Sequence, residues 1–114
     1  MANKIKLGVL GSTNGTDLQA ILDASTSGDL NAEVSVAISN RKNAYILERA
    51  ENHNVPAVFI SHKGKTREEF DAEMTSVLNE RGADLVLLIG FMRILSAEFC
   101  NTWRDRLLNV HPSL

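Results

Sequence analysis

Short apolar segments alternate with longer amphipathic segments along the chain, and this alternation constrains the fold more than any other feature of the sequence. In the apolar segments hydrophobic residues recur at every second position, as at Ile5, Leu7 and Val9, which is the period of a β-strand. In the longer segments they recur every three or four positions, which is the period of a helix. Strands separated by helices form an open, mostly parallel α/β sheet with right-handed crossovers. The sequence therefore predicts a Rossmann-like half of the α/β class.

Five strands and four helices follow from these periods. Strands are predicted at residues 5–9, 34–38, 57–60, 85–89 and 107–110. Helices are predicted at residues 16–28, 46–50, 66–82 and 96–103. Thr16 with Gln19 and Thr66 with Glu69 are capping-box patterns, which mark helix starts. The third helix is expected to bury a stripe formed by Phe70, Met74, Val77 and Leu78.

Length and charge narrow the class of protein. A chain of 114 residues is long enough for one domain with a core, so residues 1–114 are interpreted as one domain. The formal net charge of −2 gives no basic field for nucleic acid, which disfavours that partner. No apolar run approaches the roughly 20 residues that span a bilayer, and the N-terminus lacks a secretory signal pattern, so a cytoplasmic protein without a membrane partner is expected. The single cysteine, Cys100, excludes an internal disulfide and a cysteine-cluster metal site.

Open parallel sheets bind ligands outside the carboxyl ends of their strands. Three loops are therefore predicted to be candidate ligand-binding loops. They are residues 11–17, residues 90–95 and the segment from residue 111 onward. The first contains Gly11 and Gly15 and leads into a predicted helix, whose free N–H groups and positive dipole end favour an anion such as phosphate. A simple tight turn is the alternative.

Two further sets of residues carry possible chemistry. Asn109 and His111 are two positions apart in a predicted strand, so they face the same side while Val110 faces the core. An amide donor beside an imidazole can stabilise an oxyanion and move a proton, as acyl transfer to an amine requires. A strand-end polar pair satisfied by backbone groups is the alternative. The apolar residues of the 90–95 loop belong either to the core or to a wall for a flat ring.

Three segments, in this order and spacing, resemble the phosphoribosylglycinamide formyltransferase family. They are residues 14–21 (NGTDLQAI), residues 90–95 (GFMRIL) and residues 108–114 (LNVHPSL). The likeness runs along the whole chain. The last two segments are shared with the wider folate formyltransferase superfamily, whereas the first is particular to the glycinamide ribonucleotide branch. The resemblance implies the formyltransferase fold and formyl transfer from 10-formyltetrahydrofolate to the amine of glycinamide ribonucleotide, in purine biosynthesis and without a metal.

The resemblance also implies a role for individual residues. The backbone N–H groups of Gly15, Thr16 and Asp17 are expected to hold the phosphate of the ribonucleotide, although the family usually has Asn at the position of Asp17. Arg67 matches a position that contacts the folate. The folate pocket is expected to be lined by Met92, Arg93, Ile94, Leu95 and Asn109. Glycinamide ribonucleotide and the folate are thus the implied partners, and a homo-oligomer is left open.

The implied catalytic residues are Asn109, as donor to the formyl oxygen, and His111, in proton transfer. The family continues beyond the position of Leu114 to an aspartate that completes this catalytic group. The resemblance therefore predicts a chain truncated after its fifth strand, which lacks full activity alone. A non-catalytic phosphate-binding fragment, a methionyl-tRNA formyltransferase and a formyltetrahydrofolate hydrolase are the alternatives.

Overall fold

The computed structural model describes residues 4–110, which form a five-stranded sheet between two layers of helices. The strands are β1 (Ile5–Leu10), β2 (Ala32–Ser39), β3 (Ala57–Phe59), β4 (Leu85–Ile89) and β5 (Leu107–Val110). The helices are α1 (Thr16–Ser27), α2 (Tyr45–Asn52), α3 (Arg67–Glu80) and α4 (Ala97–Thr102). The order in the sheet is β3-β2-β1-β4-β5, and every pair of neighbours is parallel. The predicted Rossmann-like α/β fold is confirmed.

The two faces of the sheet bury separate cores. Alternate residues of β1, such as Leu7 and Val9, pack with α1 and α2, while Leu10 packs with α3 and α4. β4 contributes to both cores, as expected of an apolar strand inside a parallel sheet, because its Val86 and Leu87 face opposite sides. The largest completely buried side chain is Trp103, which closes α4 against α3.

The order of the strands reverses between β1 and β4, and the loops that follow these two strands meet there. The backbone N–H of Ser12 donates to the carbonyl of Gly90 at 3.1 Å. In doubly wound sheets this reversal opens the crevice in which ligands bind. The fold therefore brings residues 11–17 and 90–95 to one place.

One of the two predicted capping boxes is confirmed. The Thr66 side chain accepts from Glu69 N at 3.1 Å, and the Glu69 carboxylate accepts from Thr66 N at 2.8 Å. The hydrogen bond that the Thr66 N–H donates to this carboxylate is the main cause that lowers the pKa of Glu69 below its usual value.

The capping box predicted at Thr16 and Gln19 is wrong. The N-cap of α1 is Gly15, with φ of 68°, and no side chain caps this helix. The amide of Gln19 is used elsewhere, since its oxygen accepts from Arg49 at 3.2 Å and its nitrogen donates to Asp23 at 3.0 Å. A side chain held by α2 cannot also fold back on the start of its own helix.

The buried stripe of α3 also differs in one member from the expectation. Phe70, Met74 and Leu78 are buried, but Val77 is only half-buried. Asp71 is buried instead, with 3% of its surface exposed, and its carboxylate accepts from the Ser96 N–H at 2.6 Å. The hydrogen bond compensates the burial of the carboxylate and fixes the start of α4.

The outer strand β5 leaves apolar surface exposed in the described residues. β5 pairs there with β4 alone, and Leu108 is 54% exposed. Leu108 borders a cavity of about 430 Å³ whose wall is almost entirely apolar; Ile5, Leu7, Ile21, Leu30, Leu85 and Leu87 line it. An unpaired strand edge beside an apolar groove favours association.

Within residues 4–110, none of the helices is long and apolar enough to cross a membrane.

We expect the 114-residue chain, produced alone, to self-associate through this groove, and Leu108→Gln to weaken the association. The substitution places a polar amide where apolar surface would be buried. Light scattering at matched concentrations measures the effect. Phe59→Gln is the control, because Phe59 is also exposed on an edge strand but lies outside the groove. A monomeric parent chain, or equal association of both variants, contradicts the prediction.

Candidate functional site

The first loop, residues 11–15, packs directly on α2. A Cβ atom at Gly15 would lie 2.4 Å from Cγ1 of Ile46, and the left-handed φ of Gly15 also favours glycine. The Ile46 N–H donates to the carbonyl of Thr13 at 3.1 Å. Glycine is therefore required both for the turn and for the close approach of α2.

The loop ends by presenting the start of α1. The first intrahelical bond at this end runs from Gln19 N to the carbonyl of Gly15, at 3.1 Å. The N–H groups of Thr16 and Asp17 precede it, and the first N–H groups of any helix have no partner within the helix. Thr16 is exposed and Asp17 is half-buried. The geometry suits an anion at this helix start, which agrees with the sequence analysis, while the binding role of Gly15, Thr16 and Asp17 stays a prediction.

Arg49 of α2 holds this loop, a role that the sequence analysis did not predict. Its Nε donates to the carbonyl of Asn14 at 2.6 Å, and a terminal nitrogen donates to Gln19. The guanidinium also stacks 4.7 Å from the centre of the Tyr45 ring. These contacts fix Asn14 directly before Gly15. No signal in the sequence connects residues that are 35 positions apart.

A cavity of about 610 Å³ lies between the first loop and the segment that joins β2 to α2. Ser12, Thr13 and Asn14 line one side, and residues 41–45 line the other. The second side includes Arg41 and Lys42, both exposed. The cavity thus has two cationic side chains beside the proposed anion site.

Some residues of the 90–95 loop are exposed to solvent, and others pack against the core. Met92 and Ile94 are 65% and 73% exposed, whereas Phe91 and Leu95 pack against the core on the α3 side. Phe91 and Leu95 therefore belong to the core, and the alternative of a wall for a flat ring is left to the exposed residues. Only Met92 and Ile94 offer an exposed apolar surface to a ligand.

Arg93 and Arg67 lie near the same end of α3. The guanidinium of Arg93 stacks 4.8 Å from the centre of the Phe70 ring, and Phe70 is one turn along α3 from Arg67. Arg67 is exposed at the first position of the helix. The Nε atom of Arg93 is buried and has no hydrogen-bond partner among residues 4–110. This end of α3 therefore carries two arginines beside the acidic Glu68 and Glu69 of its first turn, next to the exposed residues of the 90–95 loop.

Asn109 is exposed on β5, opposite Leu88 of β4 in the register of the sheet. Val110 packs against the core on the α1 side, as the alternation predicts. His111 lies outside the described residues, so the predicted pairing of Asn109 with His111 stays a prediction. Among residues 4–110, no three His, Cys, Asp or Glu side chains are grouped in a way that could hold a metal ion.

Comparison with known proteins decides the family. The sequence profile of the formyl transferase family matches residues 5–114. The chain belongs to the formyl transferase family. Phosphoribosylglycinamide formyltransferase from Haemophilus influenzae is 40% identical over 110 residues, and the trifunctional purine biosynthetic protein adenosine-3 from Drosophila melanogaster is 44% identical over 112 residues.

The fold of this formyl transferase chain also matches that of a solved structure. Glycinamide ribonucleotide transformylase 1 from Symbiobacterium toebii superposes with a TM-score of 0.93 at 41% identity, over 100% of this chain and 54% of that one. The alignment with the Haemophilus influenzae enzyme covers 96% of this chain and 52% of the enzyme, and that with the Drosophila melanogaster protein covers 96% and 8%. The chain thus spans about half the length of the single-function relatives that it matches.

We predict that inorganic phosphate binds at the start of α1 and that Asp17→Asn strengthens this binding about threefold, because it removes one nearby negative charge at a solvent-screened site. Amide shifts in NMR titrations give the affinity and should be largest at Gly15 and Thr16. Asp29→Asn is the control, since it removes the same charge beyond the other end of α1. Shifts confined to other loops, or equal effects of both substitutions, contradict the prediction.

Proposed function

We propose that this chain carries out, or forms part of an enzyme that carries out, formyl transfer from 10-formyltetrahydrofolate to the primary amine of glycinamide ribonucleotide. The observation that carries the proposal is the likeness, along the whole chain, to relatives named as phosphoribosylglycinamide formyltransferases. The first loop supports this branch of the family, because it has the NGTDLQAI segment that resembles it. The proposed role belongs to purine biosynthesis and to the cytoplasm.

The ribonucleotide would bind at the first loop. Its phosphate would accept from the backbone N–H groups of Gly15, Thr16 and Asp17, at the positive end of α1. Arg49 supports this placement because it fixes the carbonyl of Asn14 and so holds the loop before the ligand arrives. A backbone contact tolerates the aspartate at position 17, at a cost in affinity.

The folate would bind on the other side of the strand reversal. Met92 and Ile94 offer exposed apolar surface for the pterin ring, and Leu95 supports the loop from the core. The guanidinium groups of Arg67 and Arg93 would attract the carboxylates of the folate tail. The two substrates would then meet at the carboxyl ends of β4 and β5.

The chemistry requires one bond to form and one to break at the formyl carbon. The amine nitrogen attacks this carbon, the formyl oxygen takes up negative charge, and the bond to N10 of the folate then breaks. Asn109 would donate to the charged oxygen. His111 would stabilise the charge and take part in moving a proton from the attacking amine to the departing nitrogen.

The test is a turnover assay on the polypeptide as its gene encodes it, with both substrates present. The absorbance change of the folate should require both 10-formyltetrahydrofolate and glycinamide ribonucleotide. Loss of formyl without an amine acceptor would instead identify a hydrolase, and a requirement for charged tRNA would identify the methionyl-tRNA branch. Binding of the ribonucleotide without turnover would identify a non-catalytic phosphate-binding chain.

In the active polypeptide, Asn109→Ala should lower turnover by about two to three orders of magnitude with little change in ribonucleotide affinity. Removing one oxyanion donor loses about 2.7–4 kcal/mol of transition-state stabilisation. Steady-state rates and ribonucleotide binding by calorimetry measure the two effects. Asn101→Ala is the control, because Asn101 is an exposed asparagine on α4. A loss of tenfold or less, or weaker ribonucleotide binding, would show that Asn109 only positions the substrate.

A further inference from the structure

Ser12 is a buried hydroxyl at the strand reversal to which the family likeness assigns no role. Its residue surface is 2% exposed. The hydroxyl donates to Oδ1 of Asn40 at 2.5 Å and accepts from the Met92 N–H at 2.9 Å. One oxygen atom thus joins the loops after β1, β2 and β4.

The connection to the 90–95 loop is double. Besides the hydroxyl contact to Met92, the Ser12 N–H donates to the Gly90 carbonyl at 3.1 Å. These two bonds hold both ends of a three-residue segment against the first loop. The side-chain oxygen of Asn40, a residue that is 9% exposed, accepts the hydrogen bond of the Ser12 hydroxyl. This bond orients the hydroxyl so that its lone pairs are directed at the Met92 N–H.

The structure otherwise does little to hold Met92. Its side chain is 65% exposed and projects away from the core, as does that of Ile94. Loss of the Ser12 hydroxyl would leave the Met92 N–H and the buried Asn40 carbonyl without this partner. Unsatisfied buried groups are costly, so the loop would move to find water or another acceptor.

We propose that Ser12 is the positioning residue that sets the 90–95 loop at a fixed distance from the first loop, and that it thereby places the folate relative to the ribonucleotide. The second half of this statement rests on the proposed function. Ser12 touches neither substrate in this account. It acts through the backbone of Met92.

Ser12→Ala tests the proposal by separating the two substrates. The KM for 10-formyltetrahydrofolate should rise about tenfold, because Ser12→Ala removes the hydroxyl that binds Met92 and Asn40 and so holds the loop. The Kd for glycinamide ribonucleotide should change by less than about twofold, because Arg49 still holds Asn14. A residue that only stabilised the fold would not affect the two substrates so unequally.

Ser25→Ala is the matched control. The Ser25 hydroxyl also makes a hydrogen bond outside its own element, to the carbonyl of Ala32 at 2.6 Å, but it joins the end of α1 to the start of β2. This variant loses a comparable bond at the opposite end of the sheet. It should leave both the folate KM and the ribonucleotide Kd unchanged.

Hydrogen exchange of the Met92 amide gives a second readout that needs no turnover. Exchange should be at least about tenfold faster in Ser12→Ala and unchanged in Ser25→Ala. If Ser12→Ala does not fold, Asn40→Ala carries the test, since it removes the acceptor that orients the hydroxyl and should also speed exchange at Met92.

The outcomes separate this proposal from the proposed function. Unchanged exchange at Met92 overturns the positioning role, whether or not the protein transfers formyl groups. Faster exchange with an unchanged folate KM also overturns it, because the loop would then not place the folate. Faster exchange in a protein that never turns over contradicts the proposed function and leaves the structural half of the proposal supported.

Discussion

The contact between the first loop and Ile46 is the constraint on which the ligand-binding end of the molecule depends. Ideal Cβ atoms at Gly11 and Gly15 would lie 2.3 and 2.4 Å from the Ile46 side chain, which is completely buried. The loop can approach α2 so closely only because neither residue has a side chain. This approach lets Ile46 N reach the carbonyl of Thr13. A larger residue at either position would lift the loop off α2.

Hydrogen bonds then connect this loop to its neighbours on both sides. Arg49 of α2 fixes Asn14, and Ser12 of the loop itself binds Asn40 and Met92. The backbone in this region forms no regular ladder, so side chains supply the order that a strand or helix would otherwise provide. Such support is what a binding loop needs, since a loop that is ordered before the ligand arrives costs less free energy on binding.

Sequence reasoning succeeded where the signal is local. The apolar run of β4 and the capping box of Thr66 and Glu69 each depend on residues within a few positions, and both are confirmed. It failed at the start of α1, because the side chain of Gln19 is engaged by Arg49, 30 positions away. Burial of Asp71 has a similar origin, since its partner Ser96 lies 25 positions along the chain.

The site divides in the same way. The loops that form the candidate site can be predicted from the order of the strands, and its glycines and exposed apolar residues can be recognised in the sequence. The bonds of Ser12 to residues 28 and 80 positions away cannot, because nothing in a single sequence marks which distant groups will form hydrogen bonds with a given serine. For Asn109 and His111, residue type and spacing indicate the kind of chemistry and the family resemblance implies the individual roles. The structure adds only that Asn109 is exposed at the carboxyl end of β5.

The distribution of charge bears on how a chain with a formal net charge of −2 could attract the two anionic substrates that we propose for it. Arg41 and Lys42 lie next to the first loop, on the side of α2, whereas Arg67 and Arg93 lie at the end of α3, on the opposite face of the sheet. Two pairs of basic side chains therefore flank the strand reversal, and the pair at α3 lies beside Glu68 and Glu69. A phosphate attracted to one and a folate tail attracted to the other would keep the two charged ends apart, so that the uncharged reacting groups, the amine and the formyl carbon, are the parts directed toward each other. Local charge, not net charge, decides what such a crevice can bind.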